Sequence, residues 1–200
     1  MKVNCDDNGI KKSVEIIENG GIIVFPTDTV YGIGCNPYDA NAVKKIYQIK
    51  SREKIKSLPV LASSIEIVKQ ISTIDEFTEK IIKKYWPGPL TLILKLKDQK
   101  LKKSLNLEDK IAVRIPNSEC TLKLLNKCSL LVGTSANVSG ESSFTNPQEG
   151  VKNVKNYDVF VDGGTITSKG ESTIIEIENE EIRIIREGAL KKEDIVIWWI

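Results

Sequence analysis

Gly20-Gly21-Ile22-Ile23-Val24-Phe25-Pro26-Thr27-Asp28-Thr29-Val30-Tyr31-Gly32 is the stretch that decides the fold. Ile22 to Phe25 form a continuous apolar run of the kind found in strands buried on both faces. Pro26 then withdraws a ladder donor and ends the pairing. Chain leaving such a strand presents Thr27, Asp28, Thr29 and Tyr31 at its end. After Gly32-Ile33-Gly34-Cys35, Asp39 is placed to cap a helix with Ala42, Val43, Ile46 and Ile49 on one face, and Lys50-Ser51-Arg52 closes it. A buried strand, a turn rich in hydroxyls and glycine, a helix and a cationic pair together form a plan for holding an anionic ligand. The helix dipole alone also favours cations at a helix end, so Lys50 and Arg52 have a purely structural reading beside the functional one.

Working outward, the 200 residues suffice for one large domain, 1–200, with a sizeable core. At 40% hydrophobic and 28% charged residues the composition is that of a globular protein. No apolar run approaches a membrane span, and the N-terminus Met1-Lys2-Val3-Asn4-Cys5-Asp6-Asp7 lacks the apolar core of a signal peptide. The expected location is the cytoplasm. Cys5, Cys35, Cys120 and Cys128 have neither metal-ligand spacing nor the density of a disulfide framework, so reduced, partly buried thiols are expected.

The chain has no histidine. That excludes Ser-His-Asp and Cys-His nucleophiles, His-Glu-x-x-His zinc sites and an imidazole base. Chemistry here has to rest on positioning and on cationic stabilisation. The 29 Lys+Arg nearly cancel the 27 Asp+Glu, which does not suggest a uniformly basic nucleic-acid surface.

Further elements follow in order. Ile10, Val14 and Ile17 recur at helical spacing after Asp6-Asp7-Asn8. Leu58 to Ala62 reads as a buried strand, Ser63-Ser64 opens a short helix, and Thr73-Ile74-Asp75-Glu76 reads as a capping box. Trp86-Pro87-Gly88-Pro89 is a rigid corner before the strand Leu90 to Leu94. Lys95 to Lys103 reads as a solvated loop. In Ile111-Ala112-Val113-Arg114-Ile115-Pro116 the arginine must point away from both neighbours, towards solvent or a polar cavity. Leu130 to Val132 runs into Gly133-Thr134-Ser135-Ala136-Asn137-Val138-Ser139-Gly140 and Ser143, a stretch with the small donors a phosphate or ribose site requires. Thr173 to Ile177 and Ile182 to Arg186 read as a hairpin, and Trp198-Trp199 needs a covering surface. Strands and helices mix without strict alternation. The expected class is therefore α/β, a twisted mixed β-sheet with helices packed on its faces. Neither a dinucleotide fingerprint nor a P-loop is present.

Taken in order, Pro26-Thr27-Asp28-Thr29-Val30-Tyr31-Gly32, Lys50-x-Arg52, Leu58-Pro59-Val60, Trp86-Pro87-Gly88-Pro89-Leu90-Thr91, Val113-Arg114-Ile115-Pro116, Ser135-Ala136-Asn137, Ser172-Thr173 and Arg186-x-Gly188 resemble the YrdC-like family over roughly Ile10 to Leu190. The resemblance implies a nucleotidyltransferase, an L-threonylcarbamoyladenylate synthase that joins L-threonine, bicarbonate and ATP and releases pyrophosphate. It further implies Mg2+ accompanying ATP, and a partner transferase complex that moves the product onto tRNA. Lys50, Arg52, Lys56, Ser135, Asn137, Ser143 and Arg186, with Ser172, are the expected ATP contacts, with Lys50 and Arg52 catalytic. Thr27, Thr29, Tyr31 and Arg114 are expected on the threonine side, and no metal-ligand set is expected. Many relatives carry proline where this chain has Glu53 and Ser57. The alternative from another class is a non-catalytic double-stranded RNA or tRNA-binding module using the lysine clusters. For the enzyme, weak tRNA binding is expected, and no membrane contact.

Overall fold

The computed structural model describes residues 1–53 and 57–196, with backbone alone at 151–153 and 196. Lys56 and Trp198-Trp199 therefore lie outside the described residues. In chain order the elements are β1 (Lys2–Asn4), α1 (Asp7–Glu18), β2 (Ile23–Phe25), β3 (Gly32–Gly34), α2 (Ala40–Ile49), β4 (Val60–Ala62), α3 (Ile65–Ile71), β5 (Ser72–Thr73), α4 (Glu76–Tyr85) and β6 (Leu90–Leu96). They continue as α5 (Gln99–Ser104), β7 (Lys110–Arg114), α6 (Glu119–Cys128), β8 (Leu130–Val132), β9 (Thr134–Ser135), α7 (Pro147–Asn153), β10 (Val159–Asp162), β11 (Thr173–Glu178), β12 (Glu181–Arg186) and α8 (Lys192–Val196).

The fold is the expected α/β class, but the strands divide into two mixed sheets. One runs β1-β10-β2-β3-β9, and the other β12-β11-β6-β7-β4-β8 with β5 paired to the far end of β6. The chain passes between them at Gly133. Val132 donates to Cys35 O at 2.9 Å and Gly133 to Pro59 O at 3.0 Å, and a Cβ on Gly133 would stand 2.5 Å from Leu61 Cδ1. Only a residue without a side chain lets the two sheets close there.

Strand alternation assigns the faces of the seven-stranded sheet. Leu90, Leu92 and Leu94 on β6, and Ile111 and Val113 on β7, enter one core with Ala42, Val43 and Ile46 of α2. Thr91, Ile93, Ala112 and Arg114 face the other way. A second cluster joins Ile10 and Ile17 of α1, Ile23 and Phe25 of β2, and Leu124 and Leu125 of α6.

Three local readings change. Cys5 and Cys120 form a disulfide across 115 residues, while Cys35 is a buried free thiol and Cys128 a half-buried one. The two partners lie far apart in sequence, so spacing held no signal. The cap of α4 is Asp75, which accepts from Thr78 N at 2.7 Å, whereas Thr73 pairs with Lys95 at the end of β6. The lysine-rich stretch is the end of β6 and the helix α5, capped by Asp98 and anchored by the buried Leu101. Gly32-Ile33-Gly34 is a strand paired with β2 and β9, and glycine is needed at 34 because a Cβ there would lie 1.9 Å from Val132 O.

Candidate functional site

The open face of the seven-stranded sheet and the end of β2 enclose a cavity of about 280 Å³. Its floor is apolar, with Leu61, Ile93, Ala112 and Ile174, and its rim carries Thr27, Thr29, Arg52, Thr91, Arg114, Ser135, Glu171, Ser172 and Arg186. One row of the sheet orders these groups. Arg186 is paired with Ile174, Ile174 with Thr91, and Arg114 with Leu61. Leu92 opposite Val113 sets Thr91 beside Arg114. Three strand spacings thus separate the backbones of Arg114 and Arg186, roughly 14 Å.

Of the two directions open to it, solvent or a polar cavity, Arg114 takes the cavity, buried to 5% exposure. Its Nε donates to Gly88 O at 2.9 Å, Nη1 to Thr29 Oγ1 at 3.0 Å, and Nη2 to Asp28. Burial pulls its pKa down and Asp28 opposes that shift. The Trp86-Pro87-Gly88-Pro89 corner is what delivers the Gly88 carbonyl, since Gly88 N is itself tied to Ile115 O at 2.9 Å.

The turn after β2 is set by Thr27. Its Oγ1 accepts from Thr29 N and Val30 N at 3.1 and 3.2 Å and donates to Val30 O at 2.6 Å. With that proton committed, the 3.0 Å contact between the two threonine hydroxyls is a donation from Thr29. Thr29 Oγ1 therefore accepts from Arg114, donates to Thr27 and keeps one lone pair towards the cavity.

Lys50 and Arg52 separate at the end of α2. Ser51 adopts φ 48°, and the bonds Arg52 N to Tyr47 O and Ser51 N to Gln48 O form a Schellman reversal. The reversal sends the two cations in different directions. Arg52 reaches the cavity, where Nη2 donates to Ser57 O at 3.0 Å. Burial lowers its pKa, and the Arg186 charge adds to that. Lys50 instead goes under the loop after β9. It is 2% exposed, and its ammonium donates to Ser135 O and, at 2.7 Å, to Asn137 O. Burial first, then Arg52, pull its pKa down to about 8.

The structure thus brings together Thr27, Thr29, Arg52, Arg114, Ser135, Ser172 and Arg186, and leaves other expected contacts off the lining. Lys50 and Asn137 build the loop beneath, and Ser143 lies further along it. Tyr31 belongs to the core. Its ring stacks between Phe144 and Phe160, its hydroxyl donates to Gly164 O at 2.8 Å, and burial pushes its pKa up to about 12. Sequence reasoning missed Thr91 and Glu171. Thr91 had a signal, a lone hydroxyl in an apolar strand at the position equivalent to that of Arg114.

Arg186 is held by Ser172, with Nη2 2.8 Å from Ser172 O and 3.2 Å from its Oγ, and by Glu171. Ser172 Oγ also meets Thr91 Oγ1 at 2.9 Å. Among the described residues no three His, Cys, Asp or Glu side chains gather as a metal site, and no helix is long and apolar enough to cross a membrane. Among the described residues the lining carries three guanidinium groups, Arg114 at one end and Arg52 and Arg186 at the other, against one carboxylate, Glu171, a set suited to a polyanion.

A family model for the Sua5/YciO/YrdC domain, described as telomere recombination, matches residues 15–188. A Methanocaldococcus jannaschii protein is 37% identical over 90% of this chain and 87% of its own length. The threonylcarbamoyl-AMP synthase of Pyrococcus abyssi is 33% identical over 93% of this chain, which spans 56% of that protein. The crystal structure of P. abyssi Sua5 complexed with L-threonine superposes with a TM-score of 0.92 at 32% identity, over 98% of this chain and 59% of that one.

Proposed function

We propose a function from one premise: the chain belongs to the Sua5/YciO/YrdC family. It is a threonylcarbamoyl-AMP synthase, converting L-threonine, bicarbonate and ATP to threonylcarbamoyl-AMP, pyrophosphate and water. The observation that carries this reading is the division of the cavity, with Arg114 and the Thr27–Thr29 turn at one end and Arg52 and Arg186 at the other.

At the first end Arg114 has three acceptors for five N–H groups. One N–H on each of Nη1 and Nη2 remains for the threonine carboxylate. The spare lone pair of Thr29 Oγ1 faces the amine. Once the amine has lost a proton to solvent, its nitrogen attacks the bicarbonate carbon and water leaves, giving a carbamate. A carbamate oxygen then attacks the α-phosphorus, and pyrophosphate departs towards Arg52 and Arg186. Both steps gather negative charge between fixed guanidinium groups, and neither needs an imidazole. Lys50 acts through Ser135 and Asn137, holding the loop that lines the nucleotide side. The residues present fit Mg2+ carried by the phosphates and water, because the lining offers hydroxyls and guanidinium groups that hold phosphate oxygens. That ion would screen the phosphate charge.

Residues 1–200 work as one unit in this reading, since both sheets line the cavity. The product passes to a tRNA-modifying transferase in the cytoplasm. Direct tRNA contact is weak, as Lys102 is engaged with Asp109 and Lys97 with Lys69 O. The test is pyrophosphate release with each substrate omitted in turn. Release that requires threonine and bicarbonate together supports the reading, and release indifferent to bicarbonate overturns it.

A further inference from the structure

Among the described residues Glu171 is the one carboxylate lining the cavity, and it stands at the phosphate end. Its Oε2 pairs with Arg186 Nη1. The acid does not set the direction of that guanidinium. Arg186 Nε and Nη2 are bonded to Ser172 O at 3.2 and 2.8 Å, and Nη2 reaches Ser172 Oγ at 3.2 Å. The Glu171 main chain is fixed as well, with Ala189 N donating to its carbonyl at 2.8 Å. Its side chain is 28% exposed and has room to turn outward. The charge of Glu171 also acts on Arg52 and Lys50, so it sits amid the cations of this end of the cavity.

We propose that Glu171 is an internal counter-anion of the phosphate subsite: its carboxylate occupies Arg186 in the free protein and has to be displaced by a phosphate group. This rests on the reading that the cavity takes ATP. Two costs follow for the nucleotide. The pair with Arg186 is broken, and the displaced carboxylate then stands close to a polyanion, a like-charge contact that weakens binding. Glu171 thereby sets the nucleotide concentration at which the site fills.

The test is calorimetric titration of inorganic triphosphate, and separately of ATP, into the wild type and Glu171→Gln. Both titrations are made in EDTA so that no divalent ion takes part. Glutamine keeps the size and the main-chain contacts. The control is Glu15→Gln on α1, an exposed acid outside the cavity that removes the same net charge. The expected result is binding about tenfold tighter in Glu171→Gln for both anions, unchanged in the control, with the gain shrinking at high salt. Equal affinity in wild type and variant overturns the inference and leaves the nucleotide reading standing. Weaker binding in Glu171→Gln also overturns it, and makes Glu171 a residue that aims Arg186. No binding of either anion to either protein overturns both.

Discussion

Arg114 Nη1 donates to Thr29 Oγ1 at 3.0 Å, joining the seven-stranded sheet to the turn that leaves the five-stranded one. The bond orients two groups at once. Thr29 is left with its lone pair towards the cavity, and the guanidinium is locked between Gly88 O, Thr29 and Asp28. In the proposed reading, folding and ligand recognition therefore share one side chain.

Arg114→Lys keeps the charge and loses the fork. A lysine ammonium cannot reach Gly88 O, Thr29 and Asp28 together, and Asp28 is left in a poorly solvated place. The expected loss is about 2–4 kcal/mol of stability by urea unfolding, with threonine affinity falling by at least about tenfold, the equivalent of one bidentate contact. Unchanged unfolding would contradict the shared role.

Lys50→Met removes the only side-chain donor described for Ser135 O and Asn137 O, and about 2–3 kcal/mol of stability should go with it. Its pH dependence has a definite sign. The folded pKa, about 8, lies below the ordinary 10.5. Between those values the unfolded chain binds more protons, so the contribution of Lys50 to stability rises with pH across this window. The urea midpoint of wild type minus that of Lys50→Met should widen from pH 7.5 to 10. A constant difference would show that the ammonium titrates normally.

Ser51 holds φ 48° at the position where glycine usually ends a helix. Ser51→Gly should relieve part of the left-handed cost and stabilise by about 0.5–1 kcal/mol, read as a rise of a few degrees in Tm. A fall in Tm would mean that the hydroxyl contributes more than the backbone cost.

The Cys5–Cys120 disulfide closes a loop of 115 residues and ties the end of β1 to the first turn of α6. That same turn holds Pro26 O through Thr121 Oγ1, just before the Thr27–Thr29 turn. Cys5→Ser with Cys120→Ser should cost about 2–5 kcal/mol under oxidising conditions. Dithiothreitol should lower the Tm of wild type and leave the double variant unmoved. Equal Tm with and without reductant in the wild type would contradict this.

Features that depend on chain direction and period were readable from sequence. The buried run before Pro26, the Asp39 cap, the hairpin of β11 and β12 and the turn of Arg114 away from Val113 and Ile115 follow from alternation, capping and turn chemistry, while alternation left open whether Arg114 met solvent or a cavity. What failed depends on neighbours distant in sequence. The partner of Cys5 lies beyond six intervening strands, and the close approach of Val132 O that requires glycine at position 34 has no local mark. Lys50 resembled its neighbour Arg52 until the Ser51 reversal sent the two side chains to different places. Tyr31 looked like a ligand contact because it follows Thr29, yet the chain leaves the turn between them and the Tyr31 ring stacks between Phe144 and Phe160. Nothing local marked Glu171, whose role comes from the β11–β12 pairing that brings Arg186 beside it.

The central claim is that the cavity joins three substrates into one adenylate. The most direct measurement is mass spectrometry of the product formed by the wild-type protein from ATP, L-threonine and 13C-bicarbonate. The account predicts threonylcarbamoyl-AMP carrying the isotope, with pyrophosphate in equal amount and no product when threonine is omitted. An adenylate without the isotope, or ATP bound but never consumed, would contradict it.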